Sequence, residues 1–335
     1  MVSGVSVLAA EVQSMGSPWL WGISIVVLLG LLTVDFAVTH RPHEVSLREA
    51  VGWSVFYLAL PLVFGLGLWW WIGTTQAVEF FTGFVVEKSL SVDNLFVFML
   101  LLTAFAVPSA LAQRVLLYGI VGALVLRGVF IAMGAALLQA GAWAFLVFGG
   151  ILFVTAVKIL REALAGESVE RDVSQLRSVR LLRRLMPVTD EYHGARLTVR
   201  QAGRRALTPL SVVVVAVFAT DVVFAVDSVP AVYGVTEDPY LVFVTNAFAL
   251  LGLRALYFVL RSALGRLVYL NHGLALILAF IGVKLMLHWA HGLWPAVPEI
   301  PTLASLAVIV VILGVVTVTS LRSGRRAVEE AAGRS

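Results

Sequence analysis

No cysteine occurs among the 335 residues, so the chain forms neither disulfides nor thiolate metal sites. Any metal it handles must be met by carboxylate, amide, carbonyl or imidazole groups. Charge is also scarce: 13% of residues are charged against 60% hydrophobic, with a mean hydropathy of +0.96. That is too little charge to coat, and too much apolar surface to bury in, a soluble domain, so the composition identifies an integral membrane protein. The opening segment MVSGVSVLAAEVQSMGSP has no Lys or Arg, hence no basic n-region of a cleavable signal peptide, and is expected to be a short tail before the first span. Nucleotide-binding signatures are missing too: there is no G-x-x-x-x-G-K-S/T and no Gly-rich turn after a strand, so ATP is not an expected partner. With no H-E-x-x-H and no G-x-G-D context, intramembrane catalysis is not expected, and no tightly bound cofactor is implied.

What is present is a series of apolar segments near 18–39, 50–72, 77–104, 114–138, 142–162, 208–232, 239–260, 269–290 and 299–320. About 20 such residues cross about 30 Å of hydrocarbon as a helix, so an all-α polytopic protein of about nine transmembrane helices is predicted. Arg residues fall on one side: Arg41 and Arg48, Arg114, the Arg-rich 163–207 loop, Arg261 and Arg266, and the tail after the last span. The positive-inside rule then puts the N-terminus outside, and the 163–207 loop and C-terminus in the cytoplasm, of a multi-pass protein in the cell membrane. The same rule accounts for a pI near 9.6 without nucleic acid. Trp69, Trp70 and Trp71 are expected to form part of an interfacial belt.

Two segments resemble one another: FVVEKSLSVDNLFVF from Phe84 and FATDVVFAVDSVPAV from Phe218. In each, an acid is followed six residues on by Asp and then a small polar residue: Glu87 with Asp93 and Asn94, Asp221 with Asp227 and Ser228. Downstream, LVLRGVF (Arg127) answers LGLRALYF (Arg254), and LFVTAVKIL (Lys158) answers AFIGVKLML (Lys284), at separations of 31 and 30 residues. Each repeat is three helices, and because three is odd the second must enter from the opposite side. The predicted organisation is a tail and two peripheral helices (1–76), a first repeat (77–162), a basic loop (163–207), a second, inverted repeat (208–290), and a last helix with its tail (291–335). Inverted repeats are common in secondary transporters, whose ion sites lie near the midplane.

A charged side chain at the centre of a span costs roughly 2.5–3.5 kcal/mol on translocon scales, so four acids demand an explanation. One is an ion site. Glu87, Asp93, Asp221 and Asp227 with Asn94, Ser228 and backbone oxygens would make a hard, oxygen-only site suited to Mn²⁺, Mg²⁺ or Ca²⁺. Positions i and i+6 lie about 120° apart on an ideal helix, so both acids of one pair could meet one ion only if the helix unwinds; Ser89, Ser91 and Pro230 are compatible with that. The other explanation is internal pairing with Lys88, Arg127, Arg254, Lys158 and Lys284. Of these, Arg127 and Arg254 are expected to pair with acids or carbonyls, and the last two lysines to snorkel. Asp35 reads as either a proton-handling group or a helix-end residue. His272 and His288 read as interfacial. The 163–207 loop reads as a solvated connector, with a regulatory or lid role as the alternative.

The motifs EKSLSVDNLFVF (Glu87 to Phe98), YHGARLTVR (Tyr192 to Arg200), TPL at Thr208, DVVFAVDSVPAVYGVTEDPYLVF (Asp221 to Phe243), TNAFALLGLRALYF (Thr245 to Phe258) and GLALILAFIGVKLML (Gly273 to Leu287) resemble the TerC/Alx family of bacterial membrane proteins, in the LysE-like transporter superfamily. The resemblance covers most of the chain from Phe80 to Leu287. It implies Mn²⁺ export, with an older association with tellurite resistance, and implies that Glu87, Asp93, Asp221 and Asp227 line the ion path. The family often has a further acid where this chain has Phe218, which brings Asn94, Asn246 and Thr220 forward as substitute oxygens. Two readings stay open: a divalent-metal exporter, by proton exchange through the same acids, and a non-transporting membrane scaffold in metal delivery or in tellurite or envelope-stress resistance. Neither the preferred ion nor the oligomeric state is written in these motifs.

Overall fold

A computed structural model describes residues 14–39, 46–165, 188–189, 191–201, 204–260 and 269–332. Helices α1 (Pro18–Thr39), α2 (Leu47–Trp71), α3 (Thr74–Ala104), α4 (Ser109–Ala140) and α5 (Trp143–Leu164) precede a short hairpin, β1 (Thr198–Gln201) and β2 (Arg204–Leu207). Then come α6 (Pro209–Tyr233), α7 (Pro239–Leu251), α8 (Leu253–Leu260), α9 (Leu270–Leu293) and α10 (Thr302–Ala332). Among the described residues, eight segments are long and apolar enough to cross a bilayer: Pro18–Ala37, Arg48–Trp71, Ser109–Ala140, Trp143–Leu164, Pro209–Tyr233, Pro239–Val259, Asn271–Leu293 and Thr302–Ser320. The remaining predicted span is α3, long enough but set apart by Glu79, Glu87, Lys88 and Asp93. The protein is thus an all-α, multi-pass membrane protein.

Local chemistry sets the helix ends. Ser46 caps α2 by accepting from Glu49 N. Asp238 caps α7 by accepting from Tyr240 N, with Pro239 in the first turn, where its missing N–H costs nothing. The two-residue turns α2–α3 and α4–α5 hold Gly73 and Gly141 at φ of 149° and 150°, a region that side chains with a Cβ avoid. Outward faces carry exposed Ile23, Val26, Leu29 and Phe36 on α1, and Trp70 and Trp71 close α2 almost fully exposed, as a lipid-facing surface and belt require.

Helix α3 packs on α2, α6, α7 and α10; α4 packs on α6 and α7; α5 packs on α9; and α2 packs on α8. Glu79, near the start of α3, accepts from Thr236 Oγ1 just past the end of α6 (2.7 Å), so these two helices run in opposite directions. Connections at the end shared by the start of α3 and the end of α6, residues 72–73, 141–142, 234–238 and 294–301, contain no Lys or Arg; Arg48, Arg114 and Arg322 lie at the opposite end. Where α5 crosses α9, two glycines touch reciprocally: a Cβ on Gly149 would lie 2.8 Å from Gly282 O, and one on Gly282 2.9 Å from Gly149 O. Gly149→Leu should therefore wedge the helices apart, at about 1–3 kcal/mol for overpacking. A lowered melting temperature in detergent, larger than that of Gly150→Leu, where a Cβ meets nothing within 4 Å, is the expected result.

The 163–207 loop lies mostly outside the described residues, including ESVERD. Its end is more than a solvated connector. Strand β1 pairs antiparallel with β2, Tyr192 Oη donates to Phe105 O at the α3–α4 turn (2.7 Å), and Thr208 Oγ1 donates to Arg196 O (2.7 Å). Burial pushes the Tyr192 phenol above its ordinary pKa.

Candidate functional site

Helix α3 brings Glu87, α4 brings Arg127, α6 brings Asp221 and α7 brings Asn246 to one point, each no more than 1% exposed. The seam between α4 and α6 is close because glycines line it: Cβ atoms on Gly119, Gly122 and Gly134 would lie 2.7, 2.7 and 2.6 Å from Val217, Phe218 and Tyr233. Arg127 Nη1 donates to Glu87 Oε1 and to Asn246 Oδ1 (2.7 Å). Its Nη2 lies 3.6 Å from Asp221 Oδ1, an ion pair beyond hydrogen-bond distance. Asn94 joins with its amide donating to Leu90 O (3.1 Å) and accepting from Arg127 Nη2 (3.3 Å), the orientation that satisfies both of its atoms. Asn246 Nδ2 is anchored on Val242 O (2.9 Å).

Oxygen atoms exceed donors around this guanidinium. Glu87 Oε2, both Asp221 carboxylate oxygens, and the hydroxyls of Ser91, Ser228 and Thr245 are buried with no hydrogen-bond partner among the described residues. Buried oxygens are ordinarily paired, so six left over along these helices call for a ligand or water. Asp227, half-buried one and two-thirds turns along α6 from Asp221, is near enough for its charge to act on Arg127. Counted as ionised, Glu87 and Asp221 outnumber the one Arg127 charge they share.

Of the predicted ligands, Glu87 and Asp221 converge from different helices, Asn94 and Asn246 join them through Arg127, and Ser228 is buried about two turns farther along α6. The Asp93 side chain lies outside the described residues, although its backbone is in α3. Among the described residues no group of three His, Asp or Glu side chains is gathered for a metal. Thr220 Oγ1 donates back to Ala216 O (2.8 Å) within its own helix. The expected unwinding is not found: α3 and α6 run unbroken through 87–93 and 221–227. Ser89 bonds back to Val85 O (2.6 Å), and Pro230 lies in the last turn of α6, so neither interrupts the ladder between the acids. The interruption comes instead in the second helix of the second repeat, where α7 gives way to α8 at Gly252. Lys88 Nζ reaches this point and donates to Ala249 O (3.2 Å). Phe218 is 39% exposed and packs over Gly122.

The sequence pairing of Arg127 with Arg254 is not matched by their surroundings. Arg254, 3% exposed, pairs with Asp35 on α1 and donates to Gln113 Oε1 on α4 (3.2 Å). Asp35 also accepts from Tyr57 Oη on α2 (3.2 Å), so it is a buried anchor rather than a helix-end residue. Lys158 is exposed, in keeping with a snorkelling role. At the Arg-poor end, a cleft of about 710 Å³ is lined by Glu79, Glu237, Asp238, Lys284, His288 and Glu299 among others. His288 bridges it, with Nδ1 2.7 Å from Glu299 Oε1 and Nε2 3.4 Å from Glu237 Oε1.

The expected pairing of Arg127 with acids is found; that it joins Glu87, Asp221 and Asn246 at one point, and that the Ser91 and Thr245 hydroxyls are left without hydrogen bonds, could not be read from sequence.

The sequence model of the integral membrane protein TerC family matches residues 72–327. An uncharacterised membrane protein of Myxococcus xanthus is 41% identical over 81% of this chain and 84% of its own length. Proteins of Photorhabdus laumondii and Escherichia coli, both called Alx and named as candidate membrane-bound redox modulators, are 41% and 40% identical over 82% of this chain and 88% of their own length. No solved structure matches the chain.

Proposed function

Because the chain belongs to the integral membrane protein TerC family, we propose that it transports divalent metal cations across the cell membrane, exporting Mn²⁺ in exchange for protons carried by the same acids. The observation that carries this reading is the buried set of oxygens without hydrogen bonds on Glu87, Asp221, Ser91, Ser228 and Thr245, drawn from three helices and both repeats. Hard oxygens without thiolate or imidazole suit Mn²⁺, Mg²⁺ or Ca²⁺. Reciprocal packing supports the inverted repeat: the first helices α3 and α6 meet antiparallel, each also packs on the second helix of the other repeat, and the third helices α5 and α9 pair. The Arg-rich end is assigned to the cytoplasm, which places the acidic cleft around Glu79, Glu237 and Glu299 outside, where its field draws cations.

The relatives named for redox modulation suggest a second reading. With no cysteine, this chain offers no thiol couple of its own, so an effect on redox balance would come through the metal it moves or through a partner for which it is a scaffold. Elemental analysis of cells that lack their own Mn exporters separates the readings. Under MnCl₂ challenge, wild type should lower cellular Mn relative to empty vector, and parallel CaCl₂ and MgCl₂ challenges report ion choice. Unchanged Mn with lowered Ca or Mg would replace the cargo; no change in any of the three would leave the scaffold.

A further inference from the structure

Arg127 is a costly way to neutralise two carboxylates if neutralisation is all that is needed. A buried guanidinium has to be desolvated, and its Nε has no partner among the described residues. Its placement does something that fixed neutralisation would not require. It reaches from α4 to one acid of each repeat, Glu87 on α3 and Asp221 on α6, but engages them incompletely. One Glu87 oxygen and both Asp221 oxygens remain without hydrogen bonds. Arginine paired for stability with a carboxylate is commonly bidentate, with both oxygens satisfied.

The guanidinium also has two neutral holders. Asn246 Oδ1 accepts from Nη1 at 2.7 Å, and the Asn94 amide oxygen accepts from Nη2 at 3.3 Å. If both carboxylates turned toward another cation, each terminal nitrogen would keep an acceptor, so the arginine would not be left buried and unpaired. The surroundings thus offer two arrangements of similar hydrogen-bond satisfaction, one with the acids on Arg127 and one with the acids on a different cation.

We propose that Arg127 is a tethered counter-cation that competes with the transported ion for Glu87 and Asp221, yielding the carboxylates on binding and reclaiming them on release. This rests on the transport reading given above and deepens it. The competition weakens binding in order to speed release, since two buried carboxylates with no internal rival would hold a divalent ion too tightly to turn over. The two asparagines are positioning residues that keep the guanidinium within reach.

The test is Mn²⁺ binding to the purified full-length protein in detergent, followed by loss of the free-ion electron paramagnetic resonance signal, with Mn²⁺ efflux from liposomes measured on the same preparations. Arg127→Gln should lower the Kd at least about tenfold, since repulsion between a buried guanidinium and a divalent ion a few ångströms away, at the effective dielectric of a protein interior, exceeds the 1.4 kcal/mol this requires. Its efflux at saturating Mn²⁺ should be slower than that of wild type. Arg127→Lys, a point charge without the fork, should fall between the two in Kd. A structural arginine gives the opposite sign, so a folded Arg127→Gln that binds Mn²⁺ as wild type does or more weakly overturns the competition. Should the Gln variant fail to fold, Arg127→Lys decides, with tighter binding supporting the proposal and weaker or equal binding overturning it. If wild type binds no Mn²⁺, Ca²⁺ or Mg²⁺, the transport reading itself fails and takes this inference with it; binding that is lost in Glu87→Gln but not tightened in Arg127→Gln sinks the inference alone.

Discussion

Asp221→Asn is expected to reduce Mn²⁺ flux through the protein in liposomes by about 100-fold or more, while its melting temperature stays within a few degrees of wild type. The two halves of this expectation have different causes. Both oxygens of Asp221 are buried without a hydrogen bond, and the nearest Arg127 nitrogen is 3.6 Å away. The amide therefore breaks no hydrogen bond, and Arg127 keeps Glu87 and Asn246 as acceptors. A unit charge acting on a cation at about 4 Å is worth about 4 kcal/mol at an effective dielectric of 20, and more for a divalent ion, so losing it should reduce occupancy by orders of magnitude. Thr220→Ala is the control: its hydroxyl is bonded within its own helix, and flux should remain within about twofold to threefold of wild type, the size of a substitution worth about 0.5 kcal/mol. Equal losses in both variants would mean that α6 tolerates no change here and that the charge is not special. Wild-type flux in Asp221→Asn would remove this carboxylate from the ion path.

The second large effect is on stability. Asp35→Asn should destabilise the protein by about 3–5 kcal/mol, the usual consequence of removing one member of a buried ion pair. Arg254 is 3% exposed, and without the Asp35 charge its guanidinium would face a neutral amide and Gln113 in a water-poor interior. The same carboxylate accepts from Tyr57, so the substitution also loosens the joint between α1, α2 and α8. Thermal melting and folded yield in detergent report the loss. The double variant Asp35→Asn with Arg254→Gln should recover at least half of it, because no unmatched charge remains. An Asp35→Asn protein that melts like wild type would show that this pair is compensated elsewhere.

These two acids illustrate what could be read in advance and what could not. Glu87, Asp93, Asp221 and Asp227 stand out in sequence because charge inside a long apolar run is expensive and because the pattern occurs twice. The substitute oxygens were only partly legible. Asn94 and Asn246 meet Arg127, whereas Thr220 turns back on its own helix. A hydroxyl's neighbours on α6 are visible in sequence, but whether it bonds to the turn behind it or to a facing helix is not. Asp35 could be read two ways because its answer lay 219 residues away, on Arg254.

The sequence by itself determined the solvent this protein folds in, the rough extent of its helices, the Arg-poor and Arg-rich ends, and the pair of acid-bearing segments, since each of these follows from composition and local pattern. Only the tertiary structure decided which charges meet. On the unbroken helices α3 and α6, acids six residues apart occupy different faces, so partnership runs between helices: Glu87 with Asp221 across Arg127, and Asp35 with Arg254. Periodicity states which side of a helix a residue occupies. Which helix lies opposite that side is set by packing, here by close contacts such as the glycine seam of α4 against α6, which no single segment encodes.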